Sequence, residues 1–417
     1  MDKFVVHGPC SLNGTVEING AKNAVLPLLA ASLLARGRSV IENVPRLRDV
    51  STMIQLLTML GAETTFDAST LVVDTNRVNR WEAPYDLVRT MRASIYVLGP
   101  LVSASGKAKV SLPGGCAWGP RPIDLHLMAL ERLGARIALE HGYINASARR
   151  LKGAEIVFPI ASVGATAQTM MAAALAKGVT TIKNAALEPE VTELAKALVS
   201  AGAKIEDIGT PTLTITGVDE IQPFHYRVIP DRIEAGTFAA AAAATGGRVR
   251  IAHCSPSQLD AVLDALRLCG AEIESKDDHL DIKGPSQIEA MHLVTREYPG
   301  FPTDMQAQMM AVLTRANGIS TVKDTIYPDR FTHVPELRRL GATIRLDGNL
   351  AVIAGVNSLE GAPVMATDIR ASSALIIAAL AAEGTTDISR VYHIDRGYEQ
   401  IEKKLQRLGA RIERVSA

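Results

Sequence analysis

The feature that most constrains this chain is a Gly-Ala pair that recurs six times along its 417 residues. It stands in LTMLGAET, LERLGARI, LVSAGAKI, LRLCGAEI, LRRLGATI and LQRLGARI, with its glycine at Gly61, Gly134, Gly202, Gly270, Gly341 and Gly409, 68 to 73 residues apart. A second glycine precedes each pair, at Gly37, Gly106, Gly178, Gly247, Gly318 and Gly384, and the fourth residue beyond it is Ile41, Val110, Ile182, Ile251, Val322 or Ile388. Self-similarity at a fixed period means one supersecondary unit used repeatedly. Each unit of about 70 residues reads as an Ala-rich helix, a glycine stop, a strand, a loop, an amphipathic helix ending in Gly-Ala, and a further strand or hairpin.

The Ala-rich segments, such as 26–35, 169–176, 237–244 and 374–382, are apolar nearly all round. Helices of that kind belong inside, with strands and amphipathic helices covering them. Aromatic residues are only 4% of the chain, so Ala, Leu, Ile, Val and Met must pack the core. Six such units divide naturally into two lobes of three, with a joint near 227–231, where Pro230 interrupts the pattern. The expected class is therefore α/β.

Charge and cysteine usage exclude several functions. With 44 Lys plus Arg against 44 Asp plus Glu, the chain has no global field for nucleic acid or an acidic membrane, so any anion site must be local. The start, Met1-Asp2-Lys3-Phe4, has no secretory pattern, and no apolar run reaches membrane-spanning length; a cytoplasmic location is expected. Cys10, Cys116, Cys254 and Cys269 form no CxxC pair or metal-ligand spacing, and reduced thiols are expected. Neither GxxxxGK[ST] nor a GxGxxG following a strand is present.

Equivalent positions in a repeat carry filler unless function intervenes. The starts of the inner helices carry Lys22-Asn23, Arg92, Ser162 to Thr166, Asp231-Arg232-Glu234, Asp304, and Asp368-Arg370. Ser162, Thr166, Asp304 and Asp368 suit ordinary capping. Lys22, Arg92 and Arg370 do not, because a cation beside a positive helix end is unfavourable unless an anion lies between them. Helix N-termini with added cations can bind a multiply anionic substrate.

A length anomaly adds a second signal. From upstream glycine to Gly-Ala glycine the units span 24, 28, 24, 23, 23 and 25 positions. The excess in unit two falls within 112–122, where three glycines flank Cys116, Trp118 and Arg121, a composition suited to a mobile lid. Arg121 could lower the pKa of the Cys116 thiol. Cys269 sits where other units have Leu or Ala and reads as core filler.

Five segments make the chain similar to a known family: Gly20-Ala21-Lys22-Asn23-Ala24, Arg89-Thr90-Met91-Arg92-Ala93-Ser94, Pro113-Gly114-Gly115-Cys116 followed by Arg121-Pro122, Phe301-Pro302-Thr303-Asp304, and His393-Ile394-Asp395-Arg396-Gly397-Tyr398-Glu399. They resemble the enolpyruvyl transferase family, and within it the UDP-N-acetylglucosamine 1-carboxyvinyltransferases rather than the 5-enolpyruvylshikimate-3-phosphate synthases. The resemblance covers essentially the whole length. It implies a two-lobed inside-out α/β barrel, with lobes 21–229 and 1–20 plus 230–417 and an active site between them. It further implies transfer of the enolpyruvyl group of phosphoenolpyruvate to the 3-hydroxyl of UDP-N-acetylglucosamine, the first committed step toward peptidoglycan, with neither metal nor organic cofactor.

The residue roles implied by the resemblance are these. Asp304 takes the hydroxyl proton, and Cys116 protonates or transiently attacks the enolpyruvyl carbon and is alkylated by fosfomycin. Lys22 and Arg121 hold phosphate, while Arg370 and Arg396 meet carboxylate and phosphate. Asn23, Arg92, Pro122, Ile123, Asp124, Leu125, Ser162, Val163, Gly164 and Ile326 contact substrate. Pro328-Asp329-Arg330 replaces the usual Glu-Asn-Arg of the family, and Trp118 and Pro120 are bulkier or stiffer than usual. A UDP-sugar-binding paralogue without catalysis would be expected to lose Lys22 or Asp304, and both are present. An RNA-processing cyclase of similar units would call for a basic face, which the balanced charge opposes.

Overall fold

The structure, a computed structural model, describes residues 2–89, 91–112 and 123–416. The expected lid residues Cys116, Trp118 and Pro120, with Arg121 and Pro122, lie outside them.

The six repeats are realised as six four-stranded sheets with one shared plan. In the third, Glu155–Val157 runs parallel to Val179–Lys183, which pairs antiparallel with Thr212–Thr216, itself in a hairpin with Lys204–Glu206. A seventh sheet has two strands, and among the described residues no sheet closes into a barrel. The α/β repeat architecture holds, with separate open sheets in place of the expected barrel.

Inner helices run over Lys22–Ala31, Leu98–Ser105, Val163–Ala173, Arg232–Thr245, Gln306–Leu313 and Ile369–Ala381. Arg232–Thr245 shows why the composition produces this. Alanine forms helix at least cost and lets neighbours approach closely, and every residue from Arg232 to Ala244 is buried. Where the sequence marks a helix only by its apolar run, the structure starts it earlier, at Lys22, Val163, Arg232 and Ile369. The polar first turns are helical too, and they are the turns that carry the candidate site.

The amphipathic helices cover this interior with one face only. Asp260–Leu268 buries Val262, Leu263, Ala265 and Leu266 and turns its charges outward. All six Gly-Ala glycines end such a helix with φ between 89° and 108°, a left-handed conformation that costs an L side chain about 1–2 kcal/mol. A β-carbon on Gly202 would meet nothing within 4 Å. Gly202→Ala should therefore lose that strain energy alone, measured by urea unfolding; unchanged stability would show that the stop does not need glycine. In the fourth unit the left-handed position is Gly246, not Gly247. Gly247 is required for a different reason, because a β-carbon there would lie 2.2 Å from the Leu12 carbonyl oxygen.

The chain forms two compact units, Met1–Asn19 with Pro230–Ala417, and Gly20–Ile229. Each has its own continuous apolar core. In the first, Asp2–Gly8 lies between Gly384–Ser389 and Ile412–Ser416, antiparallel to both, and Asn13–Glu17 runs parallel to Arg248–Ala252. In the second, His225–Arg227 returns to run parallel to Arg38–Glu42. Among the described residues no helix is long and apolar enough to cross a membrane.

Candidate functional site

In the Pro230–Ala417 part of the first unit, Asp304 is the centre of a charged cluster with Arg330 and Arg370. It sits in the single helical turn Thr303–Met305 that leads into Gln306–Leu313. Capping is not its role. Its Oδ1 lies 2.7 Å from Arg330 Nη1 and its Oδ2 2.5 Å from Arg370 Nη2. Both guanidiniums are buried, while the Asp304 side chain keeps 27% of its surface exposed. Burial alone would raise the Asp304 carboxyl, but Arg370 and then Arg330 override it and hold the group well below the usual carboxylate range.

The supports of this cluster come from several elements. Asp368 caps Ile369–Ala381 by accepting from the Arg370 and Ala371 amides at 2.7 and 3.1 Å, which fixes the start of the helix carrying Arg370. Arg370 Nη1 also donates to the Tyr398 hydroxyl at 3.3 Å, and that hydroxyl is 2.8 Å from Thr237 Oγ1. Burial pushes the His333 imidazole down to about 3, helped by Arg330, so this neighbour adds no positive charge at neutral pH. Ile326 is exposed, and Arg396 ends the turn Val391–Arg396, partly buried, in the same unit.

Lys22, the first residue of Lys22–Ala31, stands in the other unit. Its Nζ is 3.5 Å from Asp49 Oδ2, in the first turn of Arg48–Leu60. An exposed lysine is the natural expectation for an anion-holding residue, and the structure corrects it: Lys22 is 9% exposed and Asp49 3%. The anion demanded by a cation at a positive helix end is thus supplied by the protein itself, as Asp49 for Lys22 and Asp304 for Arg370.

Asn23, Ser162, Val163 and Gly164 are partly buried in this second unit. Ser162 caps Val163–Ala173 through the Ala165 amide. Gly164 lies under His126, whose Nε2 would be 2.7 Å from a β-carbon placed there. Ile123 and Leu125 are partly buried and Asp124 exposed, at the start of Asp124–Arg132. Thr166, grouped with the caps in sequence, instead accepts from the Ala186 amide at 3.1 Å. Arg92 opens the turn Arg92–Val97. Among the described residues no group of three or more His, Cys, Asp or Glu is arranged to hold a metal ion.

Arg330 is the residue that motif reading misses. The signal was present, since it ends Pro328-Asp329-Arg330, yet only the two changed positions attract attention in sequence.

The sequence model of the EPSP synthase (3-phosphoshikimate 1-carboxyvinyltransferase) family matches residues 6–405. The chain belongs to this family. Within it, curated relatives named UDP-N-acetylglucosamine 1-carboxyvinyltransferase are 54% identical in Geobacter metallireducens and in Desulfosudis oleivorans, covering 100% of both chains in each case. The crystal structure of the enolpyruvyl transferase NikO from Streptomyces tendae is similar with a TM-score of 0.91 at 26% identity, covering 100% of this chain and 99% of that one. An EPSP synthase structure from Acinetobacter baumannii shares the fold at a TM-score of 0.77 and 18% identity, each chain covered in full.

Proposed function

We propose that this protein transfers the enolpyruvyl group of phosphoenolpyruvate to the 3-hydroxyl of UDP-N-acetylglucosamine and releases phosphate, the first committed step toward peptidoglycan. The observation that carries this reading is full-length identity of 54% to relatives named for that reaction, against 18% to the EPSP synthase fold relative. Neither anionic substrate crosses a bilayer unaided, so a cytoplasmic location goes with the reading.

The chemistry is addition followed by elimination. The sugar oxygen bonds to the central carbon of phosphoenolpyruvate while the methylene carbon gains a proton, forming a tetrahedral ketal. Loss of the methyl proton and of phosphate then restores the alkene. Lys22 and Arg121 hold the phosphate, Arg370 and Arg396 the carboxylate and phosphate, and Cys116 serves the enolpyruvyl carbon. Asn23, Arg92, Pro122, Ile123, Asp124, Leu125, Ser162, Val163, Gly164 and Ile326 complete the contacts. Arg330 joins Arg370 in this role because it shares the same carboxylate partner.

Asp304 is the base, and its two ion pairs make it a weak one before substrate arrives. An anionic substrate that engages Arg330 and Arg370 takes over part of their charge and raises the basicity of Asp304. The base therefore becomes competent as the substrate docks.

A phosphate-release assay with phosphoenolpyruvate tests the assignment, offering UDP-N-acetylglucosamine and shikimate 3-phosphate in parallel. Release with the UDP-sugar alone is expected, and release only with shikimate 3-phosphate would overturn it.

Thiol reactivity gives an independent check. Burial pushes the Cys254 thiol up to about 11 and the Cys269 thiol up to about 12, leaving almost no thiolate at neutral pH. Fosfomycin should therefore alkylate Cys116 selectively and faster with UDP-N-acetylglucosamine present, read by peptide mass spectrometry. An adduct mainly on Cys10 or Cys254 would refute the role given to Cys116.

A further inference from the structure

Asp304 is the direct counter-charge of two buried guanidiniums, and the proposed reaction asks it to take up a proton. At that moment it stops neutralising them. A buried cation left alone is costly, and a mobile one no longer orients a substrate.

Arg330 has a second line of support. Its Nη1 lies 3.2 Å from Thr303 Oγ1, and the same hydroxyl lies 2.6 Å from Asp324 Oδ2. A hydroxyl has one proton to give. Of these two neighbours only the carboxylate can accept it, so the lone pairs of Thr303 face the guanidinium. The order is fixed: Arg330 donates to Thr303, and Thr303 donates to Asp324.

Asp324 is fully buried, and its other oxygen accepts from Thr295 Oγ1 at 2.8 Å, the Ile326 amide at 3.0 Å and the Tyr327 amide at 2.8 Å. Asn349 Nδ2 donates to its backbone carbonyl at 2.9 Å. This carboxylate is held from both sides. Asp368, which also acts on Arg330, is committed to its helix cap.

We propose that Asp324, acting through the Thr303 hydroxyl, is a positioning residue: a buried side chain, fixed by its own hydrogen bonds, that keeps Arg330 in place while Asp304 changes its charge. It also anchors the backbone of Ile326, so one buried carboxylate sets two candidate substrate contacts. The proposal rests on the function proposed above.

Thr303→Val cuts the relay while keeping the side-chain volume, and Thr303→Ser keeps the hydroxyl. With the full-length protein, Thr303→Val should raise KM for phosphoenolpyruvate about tenfold, the scale of one charge-assisted hydrogen bond. Thr303→Ser should stay within about twofold of the parent. In an Arg330→Ala background Thr303→Val should add nothing, because it acts through that guanidinium. An unchanged KM, or an equal loss in the Arg330→Ala background, overturns the proposal.

Crystal structures of Asp304→Asn and of Asp304→Asn with Thr303→Val, both without substrate, provide a readout that needs no turnover, the amide standing for the uncharged base. Displacement of the Arg330 guanidinium is expected, and an unmoved Arg330 overturns the proposal. Should the parent fail to consume phosphoenolpyruvate with UDP-N-acetylglucosamine, the functional reading falls by itself, and these structures still decide the positioning role.

Discussion

Lys22→Ala should lower turnover by about a thousandfold or more, the scale of removing a preorganised charge from a reacting phosphate. The residue opens Lys22–Ala31, at the positive end of that helix. The structure adds a second consequence. Lys22 is buried against Asp49 at 3.5 Å, and its removal costs that carboxylate a partner, roughly 1–3 kcal/mol of stability. The variant should therefore be folded but more easily unfolded by urea. Turnover by phosphate release, read beside circular dichroism, separates the two effects. A folded variant with near-parent turnover would remove Lys22 from the chemistry and leave it only the ion pair.

Asp304→Asn should lower kcat by at least about a hundredfold, because the amide keeps size and polarity but accepts no proton. Affinity for UDP-N-acetylglucosamine, measured by calorimetry, should change little. Loss of that affinity with normal residual turnover would make Asp304 a binding residue. Stability should fall as well, since Arg330 and Arg370 lose their shared carboxylate. The folded-state carboxyl is held low, so its contribution is fully present above the unfolded carboxylate range, about pH 4, and is lost as pH falls through the lower folded value. The gap in stability between parent and Asp304→Asn should thus be flat near neutrality and shrink only in acid. A gap that shrinks near neutral pH would contradict the ion-pair geometry.

The parts of this molecule that were legible in sequence are those written locally and repeated. Six Gly-Ala glycines mark six helix ends because each needs a left-handed backbone, a requirement one residue can express. The inner helices were visible as apolar runs, and Arg232, Glu234 and Arg370 as charges at their starts, but the partners of those charges were not. Those partners are distant in sequence. Lys404 pairs with Glu234 at 2.7 Å, and Asp304 with Arg370. The same limit hid Arg330, whose meaning comes from Asp304 and Thr303, and Asp324, an unremarkable acidic residue after a strand. Motif resemblance found the residues that touch reacting groups. It could not find the ones that hold them still, because a positioning role is defined by geometry across the fold.

The strand Asp2–Gly8 sits inside its sheet, with Gly384–Ser389 on one side and Ile412–Ser416 on the other. On the ribosome this places Asp2–Gly8 in an unusual position. The Gly20–Ile229 unit contains all the strands of its own sheets and can complete itself while synthesis continues. Asp2–Gly8 instead has to wait, its backbone groups served only by water, until Gly384–Ser389 and Ile412–Ser416 emerge. Closing so long a loop delays the reward for ordering it. A strand made before both of its partners is therefore ordered only after them, and until then it is an unpaired strand that a growing chain must keep from pairing elsewhere.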